Sequence, residues 1–396
     1  MSEHPRIAVR ISDAELERRW SAVRAVMKAQ RLDAVIAQAT NDWLGGNVKW
    51  LTDIPAMNHY PRTVIFHADD LMTIVEMGAF GGELKLEGKD AIHRGVGKIL
   101  TVPSFASINY TTTYDADLVA GELRRRGAKR VGLMTPGGFL AGFHQRLPQA
   151  LEGMELIDAT DALDAIKAVK SEEERALIRR AASLQDEVFA EVCKFIRPGL
   201  RDIDVTTHAQ GFAQTRGSEQ GIFLGASAKI GVRSPFMGRH LQGKTLEQGD
   251  HLSLLIEING PGGMYTEIAR TICLGKASAQ LLDGFAAVKE AQTHTLSLIR
   301  PGVLCRDIAA AHDAYMIANG MPPEIRLYSH GQGYDMVERP LIRRDEDMAI
   351  AEHMNLAVHP GFDNNAIFAV ICDNYLVEAG GPSACLHATE KKIFEL

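Results

Sequence analysis

Cysteine is scarce: five in 396 residues, at 193, 273, 305, 372 and 385, with no CxxC pair. An odd, scattered set excludes a disulfide framework and fits a reducing cytoplasm. Long apolar runs are absent as well. No stretch of about 18 apolar residues occurs, so no membrane span is expected. The opening MSEHPRIAVRISDAEL carries no apolar core of a signal peptide. Basic blocks are missing too. Lys and Arg number 43 against 50 Asp and Glu, a formal charge of -7. Nucleic acid and anionic membrane are therefore excluded as main partners. What is present is ordinary for a globular chain: 46% hydrophobic and 23% charged residues. The length exceeds what one core supports, so two domains are expected, 1–160 and 161–396.

Ser12-Asp13-Ala14-Glu15 reads as a capping box, and Leu16, Trp20, Val23, Val26 and Met27 recur behind it at helical spacing. Asp33–Ala37 reads as a buried strand. Thr63–Phe66 and Leu71–Val75 flank His67-Ala68-Asp69-Asp70 as a hairpin. The first domain is thus mixed α/β. The second opens on another capping box, Ser171–Glu174, followed by the stripe Leu177, Ile178, Ala181, Leu184, Val188, Phe189 and Val192.

An internal repeat follows. Phe195-Ile-Arg-Pro-Gly199 precedes Arg201-Asp202-Ile203, and Leu298-Ile-Arg-Pro-Gly302 precedes Arg306-Asp307-Ile308. Each copy sits between two helices. Beyond each lies a strand ending in polar residues, Leu252–Glu257 and Asn355–His359. Two such halves packed side by side form one curved sheet, with Glu257 and His359 facing a shared cleft. Further polar residues out of keeping with core strands are Arg239-His240, Tyr265-Thr266-Glu267, Arg270-Thr271, Ser329-His330-Gly331-Gln332-Gly333 and Cys372-Asp373.

These segments resemble, in order, the motifs of the creatinase/aminopeptidase P/methionine aminopeptidase superfamily, peptidase family M24. Glu267-Ile-Ala-Arg270-Thr271 is similar to D-I-T-R-T. Ser329–Gly333 is similar to G-H-G-I-G, Val358-His359-Pro-Gly361 to I-E-P-G, and Val370-Ile-Cys372-Asp373 to R-I-E-D. The resemblance implies an α/β (α+β) chain: a creatinase-like N-terminal domain, then a pseudo-two-fold pita-bread domain with a curved antiparallel sheet. Family metallopeptidases hold two divalent ions with Asp, Asp, His, Glu and Glu. Here Glu267 stands at the second Asp, His330 is kept, and His359 and Cys372 replace the two Glu. Glu257 takes the first position if the loop is one residue shorter. Val337 replaces a further histidine, although Glu338 and Pro340 remain.

Losing so many hard carboxylates argues against a two-ion site. Creatinase is the family precedent for a metal-free site, and ectoine hydrolase for non-peptide C–N cleavage. The expected function is therefore creatinase-like hydrolysis of an amidine, guanidino or ureido group in a small carboxylate-bearing molecule, with no cofactor. His240 would shuttle the proton, which needs a short deletion before Gly249. Glu257 and Glu267 would hold positive charge, while His330 and His359 stabilise the intermediate. Cys372 completes the catalytic set. Tyr265, Arg339, Trp50, Tyr60 and Arg62 are expected to bind substrate, the last three in a polar aromatic N-terminal segment that also holds Trp43, Asn58 and His59. Resemblance to creatinase also implies a homodimer, with the N-terminal domain near the partner's cleft. The rival is an atypical dipeptidase or aminopeptidase with one Zn or Fe on Glu267, His330, His359 and Cys372. A binding module without catalysis is the third reading.

Overall fold

Ser12 accepts a hydrogen bond from the Glu15 amide at 3.1 Å and starts helix α1 (Asp13–Gln30). The Glu15 carboxylate does not close the box; it takes Arg18 and Arg19 instead, at 2.7 and 2.8 Å. The computed structural model describes residues 9–40, 45–55 and 60–396. It divides into two units, Arg10–Lys167 and Ala168–Leu396 with Val9. No helix among the described residues is long and apolar enough to cross a membrane.

The first unit is built on one mixed sheet. Its strands are β1 (Ala34–Ala39), β2 (Arg62–His67), β3 (Met72–Met77), β4 (Gly82–Lys85), β5 (Val96–Val102), β6 (Arg130–Met134) and β7 (Glu155–Asp158), in the order β4-β5-β3-β2-β1-β6-β7. The hairpin β2–β3 is antiparallel, and β1 pairs with β6 in parallel. Helices α2 (Asn47–Thr52), α3 (Tyr114–Arg125), α4 (Ala141–Ala150) and α5 (Thr160–Ala168) complete the unit. Ile36, Ile65, Val75 and Val131 of the sheet pack with Val119, Phe143 and Leu147 of α3 and α4.

In the second unit the Ser171 capping box closes in both directions and starts α6 (Glu172–Phe195). The stripe from Leu177 to Val192 is buried, as 3.6-residue spacing requires. Next come α7 (Asp202–Gln214), the strands β8 (Gly221–Lys229), β9 (Asp250–Asn259) and β10 (Tyr265–Cys273), then α8 (Ala279–Leu298) and α9 (Cys305–Ala318). The remaining strands are β11 (Ser329–Gly331), β12 (Glu338–Leu341), β13 (Asn355–Val358), β14 (Gly361–Asp363), β15 (Phe368–Val370), β16 (Asp373–Glu378), β17 (Gly381–Pro382) and β18 (Phe394–Glu395).

The repeat is visible in the backbone. Gly199 and Gly302 adopt φ of 92° and 90°, where a side chain would be strained. Their amides reach Leu246 O at 2.9 Å and Ile350 O at 2.8 Å. Each turn then forms a one-residue bridge, Arg201 with Thr245 and Leu304 with Ala349. Each half contributes a sheet: β18-β10-β9-β8, antiparallel but for the parallel pair β10–β18, and β12-β11-β13-β16-β17, antiparallel throughout. The halves meet where Ala269 of β10 bridges to Cys372, its amide 3.2 Å from the Cys372 carbonyl. A buried ion pair, Arg270 to Asp373 at 2.7 Å, ties the same seam. The second unit thus has the two-halved, pita-bread sheet expected from the repeat.

Candidate active site

Glu267 lies at the centre of the seam. In the antiparallel pair β9–β10 it stands directly opposite Glu257, so both carboxyls share a face. Strand β11 brings His330 from the other half, with Nε2 4.0 Å from Glu267 Oε2. The His330 Nδ1–H donates to the Gly331 carbonyl at 3.0 Å, which leaves Nε2 as the bare nitrogen. His359 follows β13, its amide held by Tyr328 O at 2.7 Å. Its Nε2 lies 3.4 Å from Glu267 Oε1 yet makes no hydrogen bond. Cys372 Sγ donates to the same Glu267 oxygen at 2.6 Å.

The electrostatics follow from burial. Burial pushes the Glu267 carboxyl up, but His359, His330 and the Cys372 thiol outweigh it and leave it below the ordinary value. Burial, then the Glu267 charge, raises Glu257 well above its usual range, so Glu257 carries a proton beside an ionised Glu267. Burial drives His359 down to about 4, which keeps its ring neutral at pH 7. Burial and Glu267 also push the Cys372 thiol up. The His359 side chain is the most open of the three donors, at 16% against 4% for His330 and 5% for Glu267.

Glu267, His330 and His359 each offer a ligand atom, all within 4.8 Å of one another. The unsatisfied, buried Nε2 of His359 is the kind of atom an ion would satisfy. Two imidazoles and one carboxylate suit a single borderline ion with an open position, Zn or Fe. Asp373, Cys385 and His387 form a second group of similar compactness. There the Asp373 carboxylate already faces Arg270 at 2.7 Å and Lys391 at 3.7 Å, so added positive charge would be repelled.

The other expected residues have surroundings of their own. His240 sits on an exposed 3-10 turn, Arg239–Leu241, rather than within the buried cluster. Tyr265 is fully buried in β10. Arg339 directs its fork at Glu346, with contacts of 2.9 and 2.6 Å. Trp50 is buried in α2 of the first unit, 5.5 Å from the Arg19 guanidinium. Arg62, on β2, pairs with Glu76 at 2.8 Å. Tyr60 is 40% exposed and meets the Phe105 ring edge-on. Trp43, Asn58 and His59 lie outside the described residues. Gln332, Asn355 and Asn374 surround the two glutamates and went unassigned in the sequence reading. The one signal for them was a glutamine in Ser329–Gly333 where the family motif has isoleucine.

The model of metallopeptidase family M24 matches residues 176–379, about half of the chain. The chain belongs to metallopeptidase family M24. It is 24% identical over 256 residues to the uncharacterized peptidase YqhT of Bacillus subtilis, covering 64% of this chain and 68% of that one. Among solved structures, an X-Pro aminopeptidase from Thermotoga maritima superposes with a TM-score of 0.79 at 15% identity, over 95% of this chain and 99% of that one. Dipeptidase PepE from Mycobacterium ulcerans gives 0.75 at 20%, over 98% and 99%. At those identities the structures establish the shared fold.

These findings correct two expectations. Creatinase is among the relatives, but the matched family is one of metallopeptidases, and most similar proteins and structures are peptidases. The M24 chain is a hydrolase, and the metal-free, creatinase-like reading is overturned. The expectation of no cofactor falls with it. Its flaw was to treat the loss of carboxylates as the loss of ligands. Imidazole is itself a good ligand for softer ions, and the structure brings both histidines onto Glu267.

Proposed function

We propose that this M24 hydrolase is a one-ion dipeptidase or aminopeptidase acting on short peptides. The observation that carries this is the convergence of Glu267, His330 and His359 within 4.8 Å, drawn from both halves of the sheet. Those three would hold the ion, with Cys372 against the same carboxylate at 2.6 Å. A divalent ion there supplies Lewis-acid polarisation of the scissile carbonyl.

The chain's own residues do the rest. Glu267 is ionised and answers the ion's charge. Neutral His359 presents a lone pair without a competing proton, and His330, its Nδ1–H given to Gly331, turns Nε2 to the same carboxylate. Glu257 holds a proton beside Glu267 and is the group placed to deliver it to the departing amine. Burial of the cluster keeps bulk water from screening these charges. The X-Pro aminopeptidase and the dipeptidase among the similar structures support short peptides as substrates.

Protein loaded with one equivalent of Zn²⁺ should release amino acids from a panel of dipeptides. Glu267→Gln should lose both the bound ion and the hydrolysis. Undiminished hydrolysis by that variant would refute the proposal.

A further inference from the structure

The two glutamates are joined by a chain of buried amides whose direction is fixed. The Glu267 backbone N–H donates to Asn374 Oδ1 at 2.8 Å. A peptide N–H can only donate, so the oxygen of Asn374 must face it. The Asn374 amide nitrogen then points to Gln332 and reaches Oε1 at 2.8 Å. That fixes Gln332 in turn, and its Nε2 donates to Glu257 Oε1 at 2.9 Å. Asn355 locks the chain from the side. Its Nδ2 donates to the Gln332 carbonyl at 3.1 Å, and its Oδ1 accepts from Asn374 at 3.2 Å. Gln332, Asn355 and Asn374 are at most 1% exposed.

We infer that Gln332, oriented by Asn374, is a positioning residue that holds Glu257 out of the ion's coordination sphere and so makes the site a one-ion site. One Glu257 oxygen is committed to the Gln332 amide, which fixes how the carboxyl is turned. Held there, Glu257 stays outside the group of ligand atoms formed by Glu267, His330 and His359, and turning it into that group would break the Gln332 contact and strand a buried amide N–H. An apolar side chain at 332 imposes no such restraint. Glu257, Glu267 and Cys372 would then offer oxygen and sulfur donors to a second ion.

The inference rests on the one-ion reading above, and cobalt uptake separates the two. Metal-stripped protein is titrated with Co²⁺, followed by visible absorption and by elemental analysis after desalting. Wild type should take up one equivalent. Gln332→Met, nearly isosteric but without the donor, should take up two. Glu257→Gln combined with Gln332→Met should return to one, which a merely structural role for Gln332 would not produce. Gln332→Leu gives the same test should the Met variant fail to fold, with circular dichroism as the check. One equivalent in wild type and in the folded 332 variants overturns this inference alone. Two equivalents in wild type overturn it and leave a metallopeptidase. No uptake by wild type overturns the one-ion reading and this inference with it.

Discussion

Glu267 and Glu257 are the same residue type in adjacent strand positions, and their surroundings give them opposite protonation. Two histidines and a thiol hold Glu267 ionised, whereas Glu257 faces that charge and an amide. Glu257→Gln keeps the shape and removes the proton. It should lower kcat by about 10²–10⁴-fold, the usual contribution of a positioned acid or base, with ion content unchanged. Steady-state kinetics beside elemental analysis checks both halves. A second buried carboxyl, Asp115 in the first turn of α3, has no hydrogen-bond partner on either oxygen. Burial raises it to about 7. An acid raised on folding costs nothing below its unfolded value near 4, and its penalty grows as pH climbs towards 7. A shift of that size corresponds to roughly 4 kcal/mol. Asp115→Asn should therefore gain on wild type in denaturant melts between pH 5 and 8. Parallel pH profiles for the two proteins would show that Asp115 does not titrate there.

At the scale of elements, His330 is placed by a three-residue strand with a register shift between His330 and Gly331. A Cβ at Gly331 would lie 2.7 Å from the Arg339 carbonyl oxygen and 2.9 Å from that of Glu338. Backbone atoms of β12 cannot rotate aside, so Gly331→Ala must spread β11 from β12. It should cost about 1–3 kcal/mol, as overpacking does, and weaken ion binding because His330 moves with the strand. Ser171→Ala is the contrast. Losing the N-cap of α6 should cost about 1 kcal/mol and leave ion affinity unchanged. Thermal melts and zinc titration of both variants separate strand placement from general stability. If Gly331→Ala binds zinc as wild type does, β11 does not set the His330 position.

Across the whole molecule, what was legible in the sequence is what repeats or has a period. The α6 stripe from Leu177 to Val192 is buried residue for residue, because helical spacing fixes a face whatever lies opposite. The two Pro-Gly turns take matching φ and matching bridges, because their local sequence dictates them. The polar segments that meet at Glu267 could be named in order, since each interrupts an apolar strand. Gln332, Asn355 and Asn374 could not be assigned. A buried amide has no periodic signature, and these three meet only through the register of β11, β13 and β16. By residue type alone, His359 and Cys372 point to loss of metal, because type carries no geometry. In the fold His359 offers a ligand atom beside Glu267, and the Cys372 thiol hydrogen-bonds the same carboxylate. Whether one ion drives peptide hydrolysis is decided by stripping and restoring it. Dipeptide hydrolysis should vanish on exhaustive dialysis against a chelator and return in proportion to added Zn²⁺, reaching its plateau at one equivalent per chain. Hydrolysis that survives complete removal of metal, verified by elemental analysis, would contradict the one-ion mechanism.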